Sequence, residues 1–179
     1  MPTRYEVLPI PALMAHTQLY PAGAIQFGVE YRLLNEEIIA AEYGENSREQ
    51  FGKDVPPEMQ SQVDEDGVSV HVFDRDGQRE ILRFDCFEDY PHYHYIENSL
   101  GHQTVHDYDS VAHGPMFQWV LDCLTERLPE MLRQAGEDRL AQEIDPRAIE
   151  QVLPEVEHAI ERAREAGRPV PASQSAKAI

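Results

Sequence analysis

The sequence predicts an α+β fold in which an antiparallel β-meander is packed on one face by C-terminal amphipathic helices. Three observations lead to this prediction. Apolar and polar residues alternate in several short runs before residue 107, which is the period of β-strands. Turn sequences rich in Gly, Pro, Asp and Asn separate these runs. After residue 115 the apolar residues recur every three or four positions, which is the period of α-helices.

The chain has 179 residues, enough for one domain of ordinary size. We expect residues 1–24 to form an extended, proline-punctuated N-terminal arm and residues 25–167 to form a single α+β domain. Residues 168–179 have the composition of a disordered tail. The N-terminus lacks the apolar core of a signal peptide, and no segment approaches the ~20 apolar residues of a membrane span. We therefore expect neither feature.

The strand prediction is clearest between Gly67 and His106. Alternation first indicates a strand at residues 25–33, and residues 36–43 are compatible with a second strand or a short helix. Residues 44–66 are polar and predict a loop. The meander that follows has predicted strands at 68–74, 79–87 and 92–96, and a further strand that starts at 104.

Two helices are predicted after the meander. The first carries an apolar stripe over residues 117–132, in which Pro129 kinks the helix or starts a new turn. The second begins with Asp145 as its N-cap and Pro146 in its first turn, and it ends at Gly167. These helices are expected to cover the apolar face of the sheet.

The charge balance restricts the partners. Asp and Glu number 33 and Lys and Arg 15, which gives a formal net charge of −18. Such a surface repels nucleic acid and anionic membranes, so we expect neither as a partner. A protein partner or a homo-oligomer is expected instead. Cys86 and Cys123 lack C-x-x-C spacing and indicate reduced thiols in a cytoplasmic protein.

A cluster of histidines is predicted on the face of the sheet opposite the core. Strand residues two apart point to the same face, so His92 and His94 project together. The predicted hairpin places Asp85 opposite His94 and puts Arg83 on the same face. Continuation through the turn at 98–101 places His106 opposite His94.

The preceding hairpin extends this face. A three-residue turn at 75–77 places His71 opposite Ile81 and Ser69 opposite Arg83. His71 then joins the cluster, and the valines of the same strand point to the core.

Such a face suits two kinds of chemistry. His92, His94 and His106 together with Asp85 have the donor types of a divalent metal site for zinc, iron or manganese. The alternative is metal-free acid–base chemistry by Asp85, His92 and His94, with Arg83 holding an anionic group. Histidines on a sheet face also serve packing alone, which is the structural alternative.

The strand that ends in Arg83-Phe84-Asp85, the segment His92-Tyr93-His94 and the following amphipathic helix resemble small bacterial proteins of the TumE toxin–antitoxin type. The likeness covers about residues 68–133. It implies that Arg83, Asp85, His92 and His94 form the active site of a toxin-like effector.

Three functions are therefore compatible with the sequence. The first is an accessory or regulatory domain whose His/Asp face binds a metal or a small ligand. The second is a metal-dependent or His/Asp hydrolase or nuclease, and the third is a toxin–antitoxin component. The sequence contains no Gly-rich phosphate loop, no HExxH and no G-x-S-x-G motif, so it does not decide whether the protein is an enzyme.

Overall fold

The computed structural model describes residues 2–35, 37 and 65–172 of the chain. Seven strands form one antiparallel sheet, and helices that follow the sheet in sequence cover one of its faces. The predicted α+β fold class is therefore confirmed. Within the described ranges, no helix is long and apolar enough to cross a lipid bilayer.

The sheet is a meander with one added edge strand. Its strands are β1 Thr3–Tyr5, β2 Gln18–Ala22, β3 Ile25–Leu34, β4 Glu65–Asp74, β5 Glu80–Phe87, β6 His92–Glu97 and β7 His102–Asp107. Their spatial order is β1-β7-β6-β5-β4-β3-β2, so β2 to β7 are neighbours in chain order and β1 pairs with β7. The predicted strands correspond to β3 to β7. Glu65 and Asp66 belong to β4 and not to the predicted loop.

The N-terminal region contributes two edge strands, whereas the sequence predicts only an extended arm. β1 and β2 lie at opposite edges of the sheet. Pro21 is tolerated in β2 because an edge strand leaves part of its N–H groups outside the ladder. Partners as distant in sequence as Thr3 and Val105 leave no local signal, so the sequence pattern does not reveal this pairing.

The helices are α1 Ser110–His113, α2 Met116–Asp122, α3 Leu128–Gln134, α4 Asp138–Gln142 and α5 Pro146–Ala166, with a π-helical turn at Cys123–Arg127. Pro129 lies in the first turn of α3, as expected for a residue without an N–H group. Asp145 caps α5 by accepting from the Arg147 N–H, and Gly167 ends it with a φ of 55°. Both boundaries of the last predicted helix are therefore confirmed.

Parts of three predictions lie outside the described residues. They are the strand or helix at 36–43, except Glu37, the loop at 44–64, and the tail at 173–179.

The hydrophobic core lies between the sheet and the helices. The face of the sheet that the helices cover, here called the helix face, carries the alternating apolar residues of β3, β4 and β5. Val70, Leu82 and Phe84 are fully buried there against helix residues such as Leu124 and Val156. The predicted core face is confirmed.

Residues 6–17, here called the covering segment, connect β1 to β2 and therefore span the sheet from edge to edge. Six inter-strand intervals separate the two edge strands, a distance of about 29 Å at about 4.8 Å per interval. Twelve extended residues reach about 40 Å, so the segment is long enough to cross this width. It runs over the face opposite the helices, here called the polar face.

Candidate metal centre

The polar face carries two rows of side chains that run across the sheet, because directly paired residues of antiparallel strands share a face. The rows are Glu30, Ser69, Asp85 and His92, and Gly28, His71, Arg83 and His94. The predicted grouping of three histidines with Arg83 and Asp85 is therefore confirmed. All five of these side chains are more than nine-tenths buried.

The covering segment is held to the polar face through its main chain. Arg83 Nη2 donates to the Ile10 carbonyl oxygen at 2.8 Å, and Arg32 Nη2 donates to the same oxygen at 3.1 Å. In the opposite sense, the Leu13 N–H donates to Glu30 Oε2 at 3.2 Å. These contacts involve main-chain atoms of the segment, and the Thr17 hydroxyl adds a side-chain contact by donating to Glu30 Oε2 at 3.3 Å.

A network of paired charges lies beneath the segment. Arg83 makes a bidentate ion pair with Glu80, with separations of 2.7 and 2.6 Å. Arg32 Nη1 lies 3.0 Å from Glu30 Oε1. His71 lies between the two carboxylates, 2.6 Å from Glu80 Oε1 and 3.3 Å from Glu30 Oε1. Burial alone lowers the pKa of His71, but the two carboxylates outweigh burial and raise that pKa above its ordinary value.

This network engages Arg83, which the sequence analysis assigned to an anionic group. Its Nε and Nη2 atoms donate to Glu80, and Nη2 also donates to Ile10. With an exposed fraction of 2%, Arg83 is buried, and these contacts tie it to Glu80 and to the covering segment.

Asp85, His92 and His94 bring three metal-ligand atoms together on the adjacent strands β5 and β6. Asp85 Oδ2 lies 2.9 Å from His94 Nε2 and 3.3 Å from His92 Nε2. All three ligand atoms lie within 4.8 Å of one another. Ser69 Oγ donates to the other carboxylate oxygen, Oδ1, at 2.5 Å. The carboxylate therefore has one oxygen fixed by a hydroxyl and one turned towards two imidazoles.

The second nitrogen of each imidazole lies beside an oxygen acceptor. His92 Nδ1 is 2.8 Å from the Tyr90 carbonyl oxygen, and His94 Nδ1 is 2.7 Å from Gln103 Oε1. These oxygens only accept hydrogen bonds, so each Nδ1 carries the ring proton. In the neutral form of each ring this is the only N–H, and the Nε2 lone pair is then directed at Asp85. Histidine ligands at metal centres are oriented in this way.

The charges of the cluster follow from its burial and its hydrogen bonds. Burial alone raises the pKa of Asp85, but the two histidines beside it outweigh burial and hold that pKa well below its ordinary value. For His94, burial outweighs the attraction of Asp85 and lowers the pKa. An ionised carboxylate thus faces a neutral imidazole at neutral pH. Lone pairs directed at a carboxylate oxygen repel it unless a cation lies between them.

Two of the three separations between ligand atoms are close to the edges of a tetrahedral metal site. Zinc binds histidine nitrogen at about 2.0–2.1 Å and carboxylate oxygen at about 2.0–2.2 Å, so neighbouring ligand atoms lie about 3.3 Å apart. The separations of 3.3 and 2.9 Å around Asp85 Oδ2 are close to this value. Two imidazoles and one carboxylate also suit iron(II) and manganese. The donor set therefore fits each metal that the sequence suggested.

The fourth residue of the predicted ligand set lies elsewhere. The register of β6 and β7 pairs His94 with Val105 and Tyr93 with His106. His106 is therefore on the helix face, where it stacks on Tyr93 with ring centroids 4.9 Å apart. The prediction that His106 lies opposite His94 is wrong by one residue, and a slip of one residue moves a side chain to the other face.

The other two register predictions differ from the structure by two residues. Asp85 pairs with His92 and not with His94, and Ser69 pairs with Asp85 and not with Arg83. In the β4–β5 hairpin, a longer turn accounts for one residue of the shift and a bulge in the ladder for the other. A shift of two residues leaves every side chain on its predicted face, because side-chain direction repeats with that period.

Sequence reasoning missed the groups that orient the triad. The Tyr90 carbonyl is a main-chain atom, which side-chain patterns do not identify. Ser69 was placed on the correct face, but its contact with Asp85 depends on the true register. Gln103 lies on the polar face near His94 only in the observed β6–β7 register, and the predicted register places it on the other face.

Comparison with known proteins identifies a family without a known role. The family model of DUF7700, a domain of unknown function, matches residues 19–160. The chain belongs to this family. The DUF7700 match contains the triad and the groups that orient it, and it begins within β2, after the covering segment. No curated protein and no solved structure is significantly similar to the chain, so the likeness to TumE-type proteins gains no support.

Proposed function

We propose that this DUF7700 protein binds a divalent transition-metal ion, with zinc as the first candidate, through Asp85 Oδ2, His92 Nε2 and His94 Nε2. The observation that carries the proposal is the orientation of the imidazoles. Both Nδ1 atoms lie beside carbonyl-type oxygens, and both Nε2 atoms face one carboxylate oxygen. A cation at this point replaces lone-pair repulsion with three coordinate bonds.

Charge balance on the polar face supports the same proposal. Glu30 pairs with Arg32, and Glu80 pairs with Arg83. Among the described residues, the ion-pair contacts of Asp85 are with imidazoles alone. A buried carboxylate without a permanent cation is costly, and a divalent metal ion supplies the missing charge.

The role that we propose for the metal is structural, in an accessory or regulatory domain. Asp85 is fully buried, and the side chains of His92 and His94 are only 7% and 9% exposed. An ion held there cross-links β5 to β6 and stabilises the folded state, because the unfolded chain does not present the site. The cytoplasmic location and the protein partner or homo-oligomer stay predictions.

Metal content of the untagged protein tests this proposal. We expect about one zinc ion per chain after loading with zinc and desalting, and at least about a tenfold lower occupancy in His92→Ala and His94→Ala. His106→Ala is the matched control, since it removes a sheet histidine from the opposite face. Wild-type protein that retains no zinc, or equal occupancy in all three histidine variants, would contradict metal binding by the triad.

Hydrolysis is the second candidate function, and the number of ligands favours it. Catalytic zinc sites have three protein ligands and a position for water, and the triad supplies three. Zinc-loaded protein should then hydrolyse activated esters or phosphodiesters, and His94→Ala should lose that activity. Equal rates for the wild type and His94→Ala would leave the structural role as the proposal.

A further inference from the structure

The two imidazoles of the triad are oriented by different kinds of group. The Nδ1 atom of His92 faces the carbonyl oxygen of Tyr90, which belongs to the main chain. The Nδ1 atom of His94 faces the side-chain oxygen of Gln103, at 2.7 Å. A substitution at position 90 keeps a carbonyl oxygen there, whereas a substitution at position 103 removes the partner of His94.

Gln103 is placed firmly enough to control the His94 ring. It lies on β7 opposite Ile96 and next to β1, where it pairs with Tyr5. Its exposed fraction is 8%, and the contact with His94 is buried. Water therefore competes poorly for the Nδ1 atom, and the amide sets the ring's hydrogen bonding.

The amide group has two opposite ways to bond this ring. When its oxygen faces Nδ1, the ring carries its proton on Nδ1 and turns the Nε2 lone pair towards Asp85. When its NH2 group faces Nδ1, the proton moves to Nε2 and is donated to Asp85. Only the first arrangement leaves Nε2 able to coordinate a metal.

We infer that Gln103 is a positioning residue whose amide oxygen holds His94 in the Nδ1–H tautomer and so directs Nε2 to the metal position. This inference rests on the proposed metal binding. Loss of such an outer partner typically weakens metal affinity about 10- to 100-fold, because the ligand ring is then neither oriented nor polarised.

Two substitutions in the full-length chain separate the oxygen acceptor from the shape of the side chain. Gln103→Leu removes the acceptor, and Gln103→Glu replaces the amide with a carboxylate that only accepts. Gln118→Leu is the matched control, because it makes the same change at an exposed position on α2.

Two readouts follow each variant. Zinc affinity is measured by competition with a chromogenic chelator, and the His94 tautomer of the metal-free protein is read from long-range ¹H–¹⁵N correlation spectra. We expect Gln103→Leu to bind zinc about 10- to 100-fold more weakly and to lose the Nδ1–H tautomer. Gln103→Glu should keep that tautomer and bind zinc at least as tightly as the wild type, and Gln118→Leu should match the wild type in both readouts.

The outcomes distinguish this inference from the proposed function. Wild-type affinity and an unchanged His94 tautomer in Gln103→Leu would overturn the positioning role while metal binding stands. Weaker binding in Gln103→Glu would also overturn it, and this variant decides if Gln103→Leu does not fold. A wild-type protein that binds no zinc overturns the proposed function, and the tautomer spectra then decide alone whether Gln103 orients the ring.

Discussion

Replacement of Arg83 with methionine tests how firmly the buried ion pairs hold the polar face together. The guanidinium is 2% exposed, donates two hydrogen bonds to Glu80 and donates one to the Ile10 carbonyl oxygen. Methionine keeps an apolar stem of similar length but removes all three donors. Removal of one partner from a buried ion pair typically costs about 3–5 kcal/mol, and we expect Arg83→Met to lower the free energy of unfolding by that amount.

Urea unfolding followed by circular dichroism measures the loss, and two further variants show where it comes from. Arg79→Met is the matched control, since Arg79 also pairs with two carboxylates but is 46% exposed, and it should lose no more than about 1 kcal/mol. The double variant Arg83→Met, Glu80→Met should be more stable than Arg83→Met alone, because no isolated carboxylate is left buried. Equal losses for Arg83→Met and Arg79→Met would refute the burial from which the magnitude is derived.

Three further predictions concern other parts of the polar face. The neighbouring glutamates raise the pKa of His71, so its contribution to stability is complete below the unfolded-state pKa of about 6.5 and is lost as pH rises through the folded-state pKa. The difference in unfolding free energy between the wild type and His71→Gln should therefore shrink as pH rises above about 6.5, and a constant difference would contradict this prediction. A Cβ atom at Gly28 would lie 2.7 Å from the Phe73 ring, so Gly28→Ala should lower the free energy of unfolding in urea by about 1–3 kcal/mol. An unchanged unfolding midpoint would show that the Phe73 ring moves aside without cost. Zinc at one hundred times its dissociation constant should stabilise the wild type by about 2.7 kcal/mol and leave His94→Ala unaffected, whereas equal shifts in melting temperature would place the ion elsewhere.

Strand alternation predicts the face of a side chain more reliably than it predicts the side chain's partner. Asp85, His92 and His94 share their predicted face although the predicted pairing was shifted by two residues, because the side-chain period is two. His106 shows the opposite case. Counting back from the Glu97–His102 pair puts Val105 opposite His94, so His106 lies one residue further along β7, among the stacked aromatic rings of the helix face. The predicted turn at 98–101 is the observed one, so the loss of His106 as a ligand comes from a pairing assigned one residue too far along β7.

The cover over the polar face could not be predicted from local patterns. β1 has only three residues, and it pairs with β7, the last strand of the sheet in chain order. The segment that follows β1 binds the sheet largely through main-chain atoms of Ile10 and Leu13, which have no side-chain signature. The sequence consequently describes the polar face as a surface, whereas the structure places it in the interior.

Burial of the polar face would strengthen the proposed binding of a cation by the triad. On an open sheet face, water would solvate the Asp85 carboxylate and the imidazoles of His92 and His94, and it would compete with any ion for them. In the structure, the carboxylate is fully buried and its polar partners are the two rings and the Ser69 hydroxyl. The electrostatic attraction of a divalent ion is stronger there than in water, because the surrounding medium screens it less. Metal affinity should therefore depend on the intact Arg83–Glu80 pair as well as on the three ligands, since that pair helps to keep the segment in place.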